Sequence, residues 1–434
     1  MIQHGGEITV DRIAVEAVTI AATTVSPEDP FNPLRRVLER WFYKPDLQAI
    51  RIAMGTIKSH YLNIGTPAWL FVVAPPGSGK TTMTIMSACR LQEVQALGDV
   101  TENTFLSGFH GHKEPGLLEK LGPTMQDGNT YTTNGNAVFL IKDFTTVLSM
   151  KRDKRSVILS QLREIHEGQF RRDFGTGVTK IWNGRVSIVA AVTPVLDRHY
   201  SIFSTLGERF MQVRWHRTDE EAGEWAIKQQ GRGEEIRAEL GAAVKGIFDA
   251  SRNDEIKLPP TMRTRLASLS EIVALARTHV YRNGYGSRDI EHVPEAEANT
   301  RLSQGLSAIA KGIAALNQRN EVVEADLQDA FRVGMDCISD ARRHLLLWPS
   351  FAAPTLTSFP FPELYGTGSW RNWRPLALLS LKLVGGLPSV LKCYCVLRGF
   401  DDYLSRSVPV YPKGKLNKQQ PHREDTSGKA DEVC

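Results

Sequence analysis

One segment constrains this chain more than any other: Ala74-Pro75-Pro76-Gly77-Ser78-Gly79-Lys80-Thr81-Thr82. It follows directly on Trp69-Leu70-Phe71-Val72-Val73, a short apolar run rich in aromatic and β-branched residues, which reads as a buried strand. Gly77 and Gly79 remove the Cβ atoms that would keep backbone N–H groups from converging on one centre. Lys80 adds a point charge for β- and γ-phosphates, and the Thr81 hydroxyl can ligate Mg²⁺. A helix opening at this place would aim its positive end at the same anion. The segment therefore predicts a site for ATP with Mg²⁺, formed by residues 74–82. Its first position is Ala where Gly is usual. The competing reading is an ordinary Gly/Ser turn before a helix.

The rest of the chain is organised around that loop. Residues 1–30 form a lead-in that ends in Ser26-Pro27-Glu28-Asp29-Pro30. Leu34, Val37, Leu38 and Trp41 share one helical face, and Leu47, Ile50 and Ile57 another. Two more buried strands are expected at 137–141 and 186–192. Between them a helix carries Ile158, Leu162 and Ile165, and a hairpin follows at 169–174 and 178–182 about Gly175-Thr176-Gly177. Strands alternating with helices predict an α/β fold with a parallel sheet flanked by helices over 31–216. From 217 to 343 the pattern is all helical, with stripes Leu266/Leu269/Val273/Val280 and Leu302/Leu306/Ile309/Ile313/Leu316, and reads as a separate helical subdomain. Residues 344–434 are Pro-rich and keep no clean period; they are expected to be an irregular tail, disordered at the end or aberrant.

Magnesium needs a carboxylate at the end of a neighbouring strand, and Asp143, just past Ile141, occupies that place. The other reading of Asp143 is a helix cap or turn residue. The next residue is Phe144, where many such ATPases carry the Glu that orients the attacking water. Glu102 and Glu164 are candidates for a displaced carboxylate; without one, hydrolysis is weak.

Bulk composition narrows the setting. A net charge of +5 over 434 residues does not by itself announce nucleic-acid binding. Five Cys without a C-x-x-C pair fit a reducing cytoplasm better than a disulfide framework or a zinc site. Glu7 and Asp11 precede the mildly apolar 14–25, the wrong charge order for a secretory signal. No run reaches about 18 uncharged apolar residues, so no membrane partner is expected and the cytoplasm is the expected location.

The order Ile141-Lys142-Asp143-Phe144, then Leu162-Arg163-Glu164-Ile165-His166, the hairpin, Val189-Ala190-Ala191-Val192-Thr193-Pro194 and Leu206-Gly207-Glu208-Arg209-Phe210 resembles a branch of AAA+ ATPases. That branch carries a β-hairpin before sensor 1 and includes minichromosome-maintenance helicases, MoxR-type chaperones and bacterial enhancer-binding activators. The resemblance extends over 45–340 and implies a helical lid and a homo-oligomeric ring, such as a hexamer. It implies that Thr193 stands at sensor 1, where Asn is usual, and that Arg209 reaches the γ-phosphate of the neighbouring subunit. It implies that Arg301, in Asn299-Thr300-Arg301-Leu302, is sensor 2. The competing readings are an Arg209 paired with a carboxylate and an Arg301 that is a surface residue at a helix start. The wording Thr101-Glu102-Asn103-Thr104-Phe105-Leu106-Ser107-Gly108 resembles ATPases carried by phages and integrative elements.

The hairpin and its approaches carry Lys151, Arg152, Lys154, Arg155, Arg171, Arg172, Lys180, Trp182 and Arg185. In ring-shaped relatives such a hairpin lines the pore and touches a nucleic-acid backbone. Arg171, Arg172 and Lys180 would follow phosphates and Trp182 would stack on a base. The bland alternative is a solvated hairpin with salt-bridging charges. Two functions stand side by side: a helicase-like or replication-associated DNA motor of a mobile element, and a protein-remodelling or nucleotide-switch module with weak hydrolysis.

Overall fold

The computed structural model describes residues 29–107, 115–199, 209–215, 221–278, 281–282, 290–292, 296–340 and 342–343. Residues 1–28 of the lead-in, the tail from 344 and Val280 lie outside them. Helices α1 (Asn32–Trp41) and α2 (Leu47–Tyr61) come first, with the Asp46 carboxylate capping α2 through Ala49 N. Five strands form one parallel sheet: β1 (Trp69–Val73), β2 (Val94–Leu97), β5 (Ala137–Ile141), β8 (Val186–Val192) and β9 (Phe210–Arg214), in the order β2-β5-β8-β1-β9. The chain is thus an α/β protein, as the alternating pattern predicts. Strands β1, β5 and β8 are buried at every residue, which is why they read as unbroken apolar runs rather than alternating ones.

The two faces of each strand serve two cores. Leu70, Val72, Val138, Leu140, Val189, Ala191, Met211 and Val213 meet one layer: α2, α6 (Gly233–Ala250), α8 (Thr300–Leu316) and α9 (Glu324–Asp336). Trp69, Phe71, Phe139, Ile188, Ala190 and Phe210 meet the other, with Ile158, Leu162 and Ile165 of α4 (Arg152–His166). Helix α8 lies directly on α2, where Gly55 and Gly312 bring the two backbones so close that a Cβ on either would overlap the other helix. The expected boundary at 217 lies outside the described residues. Buried residues of the helices over 233–338 share one apolar core with the lower face of the sheet.

A second, four-stranded sheet stands beside the first, in the order β3-β4-β7-β6. Strands β6 (Gln169–Asp173) and β7 (Thr179–Asn183) are the expected hairpin, and β7 also pairs in parallel with β4 (Thr130–Asn134), itself hairpinned to β3 (Thr124–Asp127). Among the described residues no helix is long and apolar enough to cross a membrane.

Candidate functional site

The topology itself marks a ligand position. From β1 the chain crosses over β8 and β5 to the far edge strand β2, whereas from β8 it crosses β1 to reach β9 on the other side. At the carboxyl ends of the adjacent strands β1 and β8 the connections leave in opposite directions. That reversal opens a crevice at strand ends, the place where open α/β sheets hold ligands. The loop 74–82 leaves β1 there, held on one side by Ala74 N to Val192 O (3.0 Å) and on the other by Trp215 N to Val73 O (2.8 Å).

Within the loop, Gly77 and Gly79 have φ of +76° and +75°, a region that side chains with a Cβ resist. Pro75, Pro76 and Gly77 face solvent, and the Ser78 hydroxyl is buried without a hydrogen-bond partner among the described residues. Lys80 is buried and donates from Nζ to Ala74 O (2.9 Å) and Pro75 O (3.3 Å), so its ammonium caps the loop's own carbonyls. Burial holds that ammonium below the ordinary lysine range, while the negative charge of Asp143 pulls it back up. An unpaired buried hydroxyl, two left-handed glycines and an ammonium held over the loop fit a phosphate chain.

The expected regular helix after the loop is a correction. Half-buried Thr81 and Thr82 begin a π-helical turn (Thr81–Ile85), followed by a 3-10 turn (Met86–Ala88). Thr84 donates to Lys80 O (2.6 Å) and Ser87 to Met83 O (2.7 Å). Hydroxyls that bond back to carbonyls four residues earlier compete with the helical ladder and distort it.

Asp143 is exposed just beyond β5, where its Oδ1 accepts from Thr145 N at 2.9 Å. It is therefore a turn-capping Asp and, through its charge on Lys80, a member of the loop's environment. Sequence reasoning missed Thr145, although an Asp two residues ahead of a Thr is itself a capping signal. The Thr145 hydroxyl accepts from Thr193 N (3.1 Å) and donates to Thr193 Oγ1 (3.3 Å), tying the ends of β5 and β8 together. Further along the turn after β8, Asp197 accepts from both Nη atoms of Arg214 at 2.7 and 2.8 Å, a clasp thrown across the end of β1.

Phe144 explains the missing glutamate. Its side chain is fully buried against Phe71 and Phe210, with ring centroids 5.0 and 5.6 Å away, and its N–H donates to Ala191 O (2.8 Å). The position faces the core, and a carboxylate there would have no water and no partner. Neither substitute stands at the loop. Glu102 follows the edge strand β2, three strand spacings or about 14 Å from β1. Glu164 lies near the end of α4, beside His166, which packs on Trp69 at the opposite pole of the sheet.

Arg209 and Arg301 are at that opposite pole too. Strand register pairs Trp69 with Phe210 and Val73 with Arg214, so Arg209 is about 20 Å along the strands from the start of the loop. Its side chain is 6% exposed and paired with Glu167 at 2.6 Å. Arg301 is exposed in the first turn of α8 and acts electrostatically on Arg209. The structure thus brings Lys80, Thr81, Asp143 and Thr193 to one pole and Arg209 with Arg301 to the other.

The hairpin residues are used differently from the expectation. Trp182 is fully buried, with its indole N–H donating to Gly135 O (3.1 Å), so it has no face to offer a base. Lys180 forms an ion pair with Glu119 (2.7 Å) and donates to Ser107 O (2.6 Å). Arg172 donates to Glu102 O and Leu106 O at 3.1 and 3.2 Å. Both cations thus tether the segment after β2. Arg171 is exposed and paired with Asp173 (3.1 Å), Arg185 donates to Ile64 O (3.0 Å), and Arg155 donates to Leu148 O (2.7 Å). Lys151, Arg152 and Lys154 are exposed at the start of α4.

A groove lined by Lys257, Arg263, Ser307 and Lys311 lies between helix α7 (Pro260–Arg277) and α8, and contains none of the loop residues. The described residues thus define a parallel α/β protein with a glycine–lysine loop at its topological switch point. No family model matches the chain, and no curated protein matches it either.

Proposed function

We propose that this chain is an ATPase of the AAA+ type that binds MgATP in the crevice between the carboxyl ends of β1 and β8 and hydrolyses it slowly. The observation that carries this reading is the coincidence of two independent features. The loop with Gly77, Gly79 and Lys80 is recognisable from its residues, and the switch point is recognisable from strand order alone. The backbone of 74–80 would cradle the phosphates, with Lys80 leaving its loop carbonyls for β- and γ-phosphate oxygens. Thr81 and Asp143 would hold Mg²⁺, which when bound neutralises charge on those oxygens. The Thr145–Thr193 pair supplies hydroxyls to orient a water. In hydrolysis the water oxygen bonds to the γ-phosphorus as the bond to the β,γ-bridging oxygen breaks, giving ADP, phosphate and a proton released to solvent. With Phe144 beside Asp143, no carboxylate among the described residues is placed to take that proton, and turnover is slow.

The nucleotide-switch or remodelling reading is favoured over the DNA motor by the buried Trp182 and the internal bonds of Arg172 and Lys180. A DNA-acting version keeps Arg171, Lys151, Arg152 and Lys154 as its exposed cations. The test is Asp143→Asn. Asn can still cap Thr145 N, so the fold is retained, while Mg²⁺ loses its carboxylate. The Mg²⁺-dependent gain in ATP affinity is expected to fall about tenfold or more in calorimetric titrations. An unchanged gain would remove Asp143 from the site.

A further inference from the structure

Strand β3 is the outermost strand of the four-stranded sheet and is exposed at every residue. Its hydrogen-bonding phase follows from its neighbours. Thr179 N donates to Asn129 O (2.9 Å), so the odd-numbered residues of β4 turn their main-chain groups to β7. Thr130 and Thr132 therefore turn theirs to β3, where Asp127 and Met125 stand opposite them. That leaves Thr124 and Gln126 with both N–H and C=O aimed at the open edge, which is a template for a further strand. The side chains have a phase of their own. Met125, Thr132 and Ile181 form one row across β3, β4 and β7. In the next row Thr133 and Trp182 are buried, so the Met125 row lies on the side turned away from the core. Met125 is 61% exposed, and Thr132 and Ile181 are half-buried. The row is a short apolar stripe that runs out to the open edge.

An edge with these two phases is complementary to itself. Set two copies of β3 antiparallel about a twofold axis between their Met125 residues, and Thr124 of each copy faces the partner's Gln126. These are the residues with free main-chain groups, so both pairs can exchange N–H and C=O bonds. Met125 then meets the partner's Met125 in the non-bonded pair between them, where opposed side chains approach most closely. The apolar stripe thereby continues from Ile181 of one copy to the partner's Ile181. Asp127 falls opposite the partner's Pro123, at a position that calls for no N–H, and no like charges are opposed. We propose that β3 is a self-recognition edge, through which two copies of this chain join their small sheets into one continuous sheet about a twofold axis. This pairing does not depend on what the phosphate loop binds.

Sedimentation equilibrium of the full chain without nucleotide, over a range of protein concentrations, reads the association. The mass is expected to rise from monomer towards dimer. Met125→Lys sets two like charges at the centre of the pair, and Gln126→Pro removes an outward N–H that β4 does not use. Each should abolish association at concentrations where the unaltered chain is half dimeric. Met125→Cys tests the register. Opposed Cα atoms in a non-bonded pair are about 4.5 Å apart, within disulfide range. Oxidised glutathione should therefore join two such thiols into an interchain disulfide, itself being reduced to the thiol. Asp127→Cys, displaced to the far ends of the pair, should give no more cross-linking than the unaltered chain with its five Cys. Met125 and Asp127 are exposed, which spares the fold, and a denaturant midpoint checks the Gln126→Pro chain. An unaltered chain that stays monomeric throughout overturns the proposal. So does self-association that ignores both Met125→Lys and Gln126→Pro, or equal cross-linking at 125 and 127.

Discussion

Replacing Trp182 by alanine is expected to cost the folded chain about 3–5 kcal/mol and to leave its affinity for single-stranded DNA, measured per folded molecule, unchanged. The indole is fully buried with Phe170, Ile165 and Trp69 in the core above the sheet. Truncation removes that apolar area, opens a cavity the surrounding strands can only partly close, and strands the Gly135 carbonyl that accepts the indole N–H. Because β7 joins the small sheet to the large one through β4 and the turn into β8, the loss should appear as a lower midpoint for the whole transition in denaturant unfolding. A variant that unfolds with the wild type yet loses DNA binding would instead put this side chain at a nucleic-acid surface.

Phe144→Glu should have a comparable or larger effect, about 5 kcal/mol or more, and should not raise ATP turnover. The substitution would set two carboxylates side by side at 143 and 144 on paper. In the fold it removes a ring packed on Phe71 and Phe210, which themselves stack at 4.0 Å, and leaves a carboxyl in that apolar layer. Against a total stability of about 5–15 kcal/mol, such a loss leaves little folded protein. Thermal melts alongside an ATPase assay decide the matter. A well-folded Phe144→Glu chain with faster turnover would mean that this position points into the crevice.

The parts of the fold that the residues announced are those buried on both faces or strongly periodic. Trp69–Val73, Ala137–Ile141 and Val186–Val192 are strands with the bounds their apolar runs suggest, and the hairpin about Gly175–Gly177 is present. The partner hairpin was not legible. Thr124–Asp127 is exposed at every residue and Thr130–Asn134 is polar, so neither carries a hydrophobic period, and they are strands because β7 offers β4 an edge. The roles of the basic residues were hidden for a different reason. Nothing local in Lys180 or Arg172 tells that Glu119 or the carbonyls of 102–107 will meet them, because those contacts join segments brought together by the second sheet. Arg209 likewise meets Glu167 from a distant part of the chain, a pairing that nothing in its own segment announces. The conformation of the loop after β1 escaped this limit, since it is set locally: Gly77 and Gly79 take the left-handed φ that their lack of a Cβ allows.

The most direct measurement is therefore MgATP binding by titration calorimetry, in the unaltered chain and in Lys80→Ala. Lys80 bonds its own loop carbonyls and contributes no ion pair among the described residues, so the variant should keep the fold, checked by its far-ultraviolet dichroism. Saturable binding by the unaltered chain, weakened about tenfold or more by the loss of one ammonium from the β/γ-phosphates, is the expected result. Equal affinity in the two proteins, or no binding in the first, would contradict the assignment of residues 74–82 as the nucleotide site.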